Sequence, residues 1–511
     1  MGSGWIDFGK VPVFRNRPFV FATLKNIAKA LRCLRISPTS VRGIGIQATM
    51  GTVKPSTNYE GWSSEQLINR IKELEARLTK SPSTPSKPKK YESVVVTLTI
   101  SPPRTPRPFD FDKYPTRYIA IKYAYLGWHY NGLAYCDPAL TPLPTVELEL
   151  FKALEKTKLI QSQDTCKYSR CGRTDKGVSA MGQVSAMIVR SNVNPEDRIE
   201  NGGRGYSLNE TGKSKGEELD YVQILNGVLP LTIRVLAWCP VPESFDARFS
   251  CRGRHYRYFF TNVEDELDIE AMRNAAGYFL GEHDFRNFCK LDVQKQITNF
   301  RRRIDKADIV PYEGVPINSN SKMWMFELHG TAFLWHQVRC MMAILFLVGQ
   351  RLEEPEIVRD LMDTEKYATK PEYEMAHDVP LVLYDCLFDG LEWKYPDDLS
   401  RSRSKLLQDA FSTWHEHKLQ ETLSGLLCTT ISQSQDILTG RPIDKVGLLT
   451  GVGERKSTKG YRKVAKRTRQ EAFEVMNERY RKSAKYEQHQ RKMEAKAKAQ
   501  ESSNDTIDGV E

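Results

Sequence analysis

The chain has 511 residues, 40% of them apolar, and a formal net charge of +11. That length and apolar content exclude a chain disordered throughout and suggest about three structural units. No run approaches the roughly 18 apolar residues of a membrane span, and the richest, Met341 to Val348, belongs in a core helix.

The charge is uneven along the chain. Residues 1–58 hold nine Lys/Arg against Asp7 alone, and residues 451–500 hold sixteen against six Glu. The stretch between them is slightly acidic, so the overall basicity is a weak guide to a nucleic-acid partner and local clusters must carry that argument.

In chain order, residues 1–61 form a basic N-terminal tail. Its first fifty residues are acid-poor and fit either a mitochondrial import sequence, an ordinary basic tail or a true start at Met50. Residues 62–80 read as a short helix, with Leu67, Ile71, Leu74 and Leu78 on one face and Ser63 and Gln66 forming a capping box. Residues 81–113 read as a Pro/Ser-rich linker, within which the strand-like Val94 to Ile100 has no account. A first half, 114–245, begins with a strand over Arg117 to Tyr125, an aromatic turn bounded by Gly127 and Gly132, and a helix capped by Thr145. A strand follows over Gln183 to Val189, then a polar insertion at 200–219 and apolar strand or helix material from Tyr221 to Pro242. The second half, 246–395, opens with alternation that puts Tyr256, Tyr258 and Phe260 on one strand face. It continues with a helical stripe from Ile269 to Leu280, a strand over Met323 to Leu328, a buried helix over Phe333 to Gln350 and a strand over Leu381 to Phe388. Residues 396–511 read as a polar, basic extension. This mixture in two comparable halves predicts an α+β fold.

Ten cysteines without a C-x-x-C pair read as reduced thiols rather than a disulfide framework or zinc site, and His415 and His417 lie too close together for zinc-finger spacing. The densest polar segment is the loop 168–180, Tyr-Ser-Arg-Cys-Gly-Arg-Thr-Asp-Lys-Gly-Val-Ser-Ala. Gly172 and Gly177 permit a tight turn close to a ligand. Asp175, between Arg173 and Lys176, should stay ionised because neighbouring cations favour the carboxylate. Such a group suits a nucleophile or base, and equally a structural ion pair.

The run Cys171 to Ala180 resembles the signature loop of the TruA family of tRNA pseudouridine synthases. Phe245 to Ser250 followed by Arg254 to Tyr258 resembles the block that carries the family's substrate tyrosine, and Ala332 to Arg339 the block that carries its active-site arginine. The resemblance spans roughly residues 115–390, and its wording is nearest a eukaryotic, fungal-looking branch that modifies uridines 38 and 39 of the anticodon stem-loop. It implies two pseudo-symmetric α/β halves with antiparallel sheets flanking an RNA-binding catalytic cleft. Asp175 matches the catalytic aspartate, Tyr256 the tyrosine that stacks on the target base, Arg339 the arginine that pairs with the carboxylate, and Arg173 a loop arginine holding the extruded nucleotide. Arg170, Lys176, Arg248, Arg254 and Arg257 are candidate RNA contacts.

The implied reaction breaks the C1′–N1 bond, turns the uracil and joins C1′ to C5. No electrons or groups are exchanged, so no cofactor or metal is expected. The implied partners are tRNA, through its anticodon stem-loop, and a second copy of the chain. The expected locations are nucleus and cytoplasm, with mitochondrial import of an extended form as a further option. The rival readings are the same chemistry at another tRNA position or in another RNA, and an RNA-binding protein without catalysis. A zinc deaminase lacks its His/Cys ligand pattern here.

Overall fold

The computed structural model describes residues 109–194, 218–263, 267–313, 321–432, 447–449, 451, 455–457, 460–491 and 494. The basic N-terminal tail, the helix expected at 62–80, nearly all of the linker and most of the 200–219 insertion lie outside these residues.

The first half contributes β1 (Thr116–Tyr125), α1 (Val146–Lys156), β2 (Ser169–Arg170), β3 (Ser179–Arg190), α2 (Tyr221–Asn226) and β4 (Ile233–Pro240). α1 starts where its sequence says: the Thr145 hydroxyl accepts the Leu148 N–H at 3.3 Å, satisfying one of the amide groups a helix start leaves open. The second half supplies β5 (Gly253–Val263), α3 (Ile269–Gly277), β6 (Gly281–Asp284), β7 (Arg301–Pro311), β8 (Ser321–Gly330), α4 (Gln337–Gly349), α5 (Ile357–Met362) and β9 (Leu381–Leu387).

All nine strands join one sheet, ordered β4-β1-β3-β9-β5-β8-β7-β6 with β2 on the side of β3. β9 is the joint. It runs parallel to β3 and antiparallel to β5, so that Leu383 faces Ala180 on one side and Tyr256 on the other. This register brings the signature loop next to the strand bearing Tyr256, although 81 positions separate Asp175 from that tyrosine in sequence.

Each half buries its own apolar cluster. One gathers Ile119, Ile121, Leu150, Phe151 and Val184; the other gathers Tyr258, Phe279, Phe326 and nearly all of α4. α4 is apolar on every face and is accordingly central to its half. It begins four residues later than its hydrophobicity suggests, because His336 takes a left-handed conformation at φ +62° and ends the helical run there. β7 is a strand that the Arg301-Arg302-Arg303 run conceals. Ile304, Ala307 and Ile309 face inward, while Arg301 and Arg303 pair with Glu282 and Asp305.

The extension at 396–511 is partly built into the body. α6 (Arg401–Ser432) is anchored by a buried pair between Asp409 and Arg234 at 3.3 Å, and beyond it exposes Phe411, Trp414, Leu423, Leu426 and Leu427. β10 (Gly447–Leu449) and β11 (Arg455–Ser457) form a small ribbon. The segment leading to α7 (Phe473–Arg481) then lies against the second half. Gln470 and Glu372 donate backbone N–H groups to Lys370 and Thr468 respectively, and Val464 is fully buried with its N–H on Glu353. No described helix is long and apolar enough to cross a membrane.

Phe346 on α4 meets the rings of Tyr258 and Phe260 edge-on. Phe346→Ala should cost about 3–5 kcal/mol of stability, as core aromatic truncations do. The shift of the denaturant midpoint at constant slope measures this.

Candidate active site

Asp175 sits in the loop from β2 to β3, and the loop is locked from beneath. Tyr125 and Thr174 share a 2.6 Å hydroxyl hydrogen bond, Leu133 N–H donates to the Thr174 carbonyl, and Gly127 N–H donates to Ser179 Oγ at 2.9 Å. The aromatic turn after β1 can come this close only without side chains: a Cβ at Gly127 would lie 2.1 Å from the Val178 carbonyl oxygen. Gly177, at φ +81°, is favoured by its conformation, and Asp378 Oδ1 lies 2.8 Å from where a Cβ would stand. Gly172 faces open space and is not forced by packing.

The carboxylate of Asp175 is 30% exposed. Trp335 Nε1–H donates to its Oδ1 at 3.0 Å, and His336 Nε2 lies 3.5 Å from Oδ2. Burial raises the Asp175 pKa above its ordinary value, and Asp378 adds to the rise; the Trp335 hydrogen bond and the charges of Arg339 and Lys295 pull the other way. The sequence expectation that Arg173 and Lys176 hold the group ionised is thus corrected. Both side chains are exposed, and the cations that act come from distant elements. His336, desolvated and surrounded by Arg339 and three lysines, has its pKa pushed down to about 4 and is neutral near pH 7.

Arg339 lies in the first turn of α4. Its Nε–H donates to the Ala376 carbonyl at 2.8 Å, and its ion pair, at 3.6 Å, is with Asp378. It acts on Asp175 through its field rather than by the direct pairing that the family resemblance implies. Tyr256 stands on β5, half-buried, with the Phe333 ring edge-on at 4.9 Å. Its phenol pKa is pushed up chiefly by burial, and the Asp175 charge contributes. Asp175, Tyr256 and Arg339, three of the four residues matched to the family, therefore converge on one site, with Trp335, His336, Lys295 and Asp378 as additional members.

The fourth matched residue, Arg173, and the five candidate RNA contacts divide by geometry. Arg173, Lys176 and Arg248 are exposed, and Arg248 lies over the Phe249 ring. The other three are occupied within the fold. Arg170 pairs at 2.8 Å with Glu147, which is wholly buried. Arg254 donates to the carbonyls of Thr331, Cys171 and Arg248, fastening the signature loop to β5. Arg257 lies 3.5 Å over the Tyr384 ring and donates to Glu327.

Among the described residues, His255, Glu327 and His329 offer metal-ligand atoms within 4.8 Å of one another. Arg257 and Lys306 already hold that carboxylate, so the group is better accounted for as an ion-pair cluster than as a metal centre. The described cysteines are free thiols.

Comparison with known proteins gives one family match, described as tRNA pseudouridine synthase, over residues 275–389. The tRNA pseudouridine(38/39) synthase of Saccharomyces cerevisiae is 44% identical over 438 residues, covering 84% of this chain and 92% of the relative. The Homo sapiens protein of the same name is 42% identical, covering 71% and 75%. The tRNA pseudouridine synthase A of Methanococcoides burtonii is 30% identical, covering 54% and 84%.

Two outcomes follow from this geometry. The Asp175 carboxyl should titrate above the ordinary aspartate range, and Trp335→Phe, which removes the indole donor, should raise it further; carboxyl-resolved NMR titration reads both. Arg170→Met strands the buried Glu147 charge and should cost about 3–5 kcal/mol of stability, while leaving RNA affinity of the folded protein within twofold in a filter-binding assay.

Proposed function

The chain belongs to the TruA family of tRNA pseudouridine synthases, and on that premise we propose that it isomerises uridines 38 and 39 of tRNA with Asp175 as the catalytic carboxylate. The activity class follows from the family; the target positions are those in the names of the yeast and human relatives. The observation that carries the catalytic assignment is the half-buried Asp175 carboxylate, fixed by the Trp335 indole N–H within the field of Arg339.

A base cannot turn within its stack, so the target nucleotide is extruded at a cost of a few kcal/mol. Stacking on the half-buried Tyr256 ring returns about 1–3 kcal/mol. The carboxylate then acts at the sugar, either by attack at C1′ or by taking the C2′ proton. Both routes need it ionised, and both break C1′–N1 so that uracil rotates before C5 bonds to C1′; C5 then gives up its proton, and N1 carries one in the product. Trp335 and Arg339 contribute preorganisation: they fix the orientation and charge of Asp175 before the substrate arrives.

RNA is gripped by phosphate contacts and shape, as is usual for structured RNA. Arg173, Lys176 and Arg248 are the exposed cations of the matched motifs, and the 81%-exposed Phe249 ring stands beside Arg248. The substrate region in this reading is the anticodon stem-loop. The working form is a homodimer, for which the apolar side chains exposed along α6 are the supporting feature. Activity in both nucleus and cytoplasm belongs to the same proposal.

The decisive experiment incubates the purified chain with unmodified tRNA and maps each pseudouridine formed. Products at 38 and 39 are expected from the wild type, and Asp175→Asn should abolish them, a loss of at least about 10⁴-fold, while tRNA binding is retained. Product at other positions would move the target, and an active Asp175→Asn variant would remove this residue as catalyst.

A further inference from the structure

We propose that Asp378 is a positioning residue for the isomerisation, holding the Arg339 guanidinium and the signature loop in register. The inference rests on the reading of Asp175 as catalyst. It starts from the observation that the ion pair of Arg339 is with Asp378.

Asp378 lies just before β9, in a turn closed by Leu381 N–H on its own carbonyl. The segment 376–378 grips Arg339 at three points. The Ala376 carbonyl receives Nε–H at 2.8 Å, Ala376 N–H returns a bond to the Arg339 carbonyl, and Asp378 Oδ2 lies 3.6 Å from the guanidinium. The other carboxylate oxygen faces Gly177, two residues beyond Asp175, 2.8 Å from where a Cβ would stand. The same turn is held to β5 by the Tyr258 hydroxyl, which donates to the His377 carbonyl. Asp378 therefore touches both the cation that orients the site and the loop that bears its carboxylate.

Asp378 acts on Asp175 in two opposite ways. Asp378 fixes Arg339 in place, and its own charge repels ionisation of the neighbour. The groups around Asp175 are Trp335 and His336 before α4, Arg339 on α4, Lys295, Tyr256 on β5 and Asp378, with Arg173 and Lys176 on its own loop. Those on Asp378 are Arg339, Asp175, the Tyr258 phenol on β5 and His377, whose Nδ1 is 3.2 Å from Oδ1. Without the Asp378 charge, Arg339 loses its alignment but stays near the loop through its bond to the Ala376 carbonyl, so the rate should fall while Asp175, freed of the neighbouring negative charge, becomes easier to ionise.

The test uses full-length chain and unmodified tRNA. Asp378→Asn should reduce kcat about 10- to 100-fold, the scale of a small misplacement of an orienting group, with KM for tRNA within twofold. The acid limb of its kcat profile should move to lower pH. Asp378→Glu keeps the charge and should recover most of kcat, with the limb near that of the wild type. Wild-type kcat in Asp378→Asn overturns the proposal, as does a loss of kcat with an unmoved limb, because a merely structural defect would leave the limb in place. If the Asn variant lacks a cooperative melt, Asp378→Ser takes its place, and failure of both to fold assigns the residue to stability and also overturns it. An inactive Asp175→Asn beside unaffected Asp378 variants refutes this inference alone. An active Asp175→Asn removes the catalytic reading and this inference with it.

Discussion

A carboxylate drawn two-thirds out of water is the constraint around which the rest is arranged. Desolvation alone would drive Asp175 toward its neutral form, and a neutral acid can neither attack a sugar nor take a proton. The counterweights are one indole N–H, one guanidinium and one ammonium, and none comes from the loop itself. They are delivered by the segment before α4, by the first turn of α4 and by the short turn holding Lys295. Each would be misplaced if the sheet did not hold the signature loop against the second half. Packing that looks remote from the chemistry, such as Tyr125 on Thr174 or Gly127 under Val178, therefore determines where the acid lies.

Where one physical signal dominated, the sequence was legible. Strict alternation located β5, the Thr145 cap located α1, and continuous apolarity located α4 in the core. Legibility ended where two demands met on the same residues. Phe333 to His336 continue the apolar run of α4, yet they leave the helix, because Trp335 and His336 reach the carboxylate and Phe333 meets Tyr256. β7 was hidden because its opening arginines mask an inward stripe. Lys295 and Asp378 carry no local pattern that would single them out, since only the tertiary register brings them to the site.

Arginine clusters were the least informative sequence feature. Arg170, Arg254 and Arg257 differ little in local context from Arg173 and Arg248, yet the first three hold carboxylates and carbonyls inside the fold. A guanidinium suits such work because its planar set of donors serves several acceptors at once. Charge density along the chain thus overstates the surface available to RNA phosphates. The extension beyond residue 395 shows the same limit: its polar composition conceals a length of chain that buries its own Val464 against the body and pairs with the backbone of the second half.

The central position of β9 has an outcome for biosynthesis. β2 and its flanks pair with much of that edge of β3, but the stretch at Ser179 and Ala180 is made about 200 residues before β9, which at about 5–20 residues per second leaves it uncovered for roughly 10–40 s on the ribosome. The short parallel contact at Ser179 and Ala180 is also the kind of non-local pairing that forms slowly. The catalytic loop therefore matures last, and a chain ended before residue 381 would hold most of both apolar clusters but lack the strand that joins the two halves, and so have no working centre.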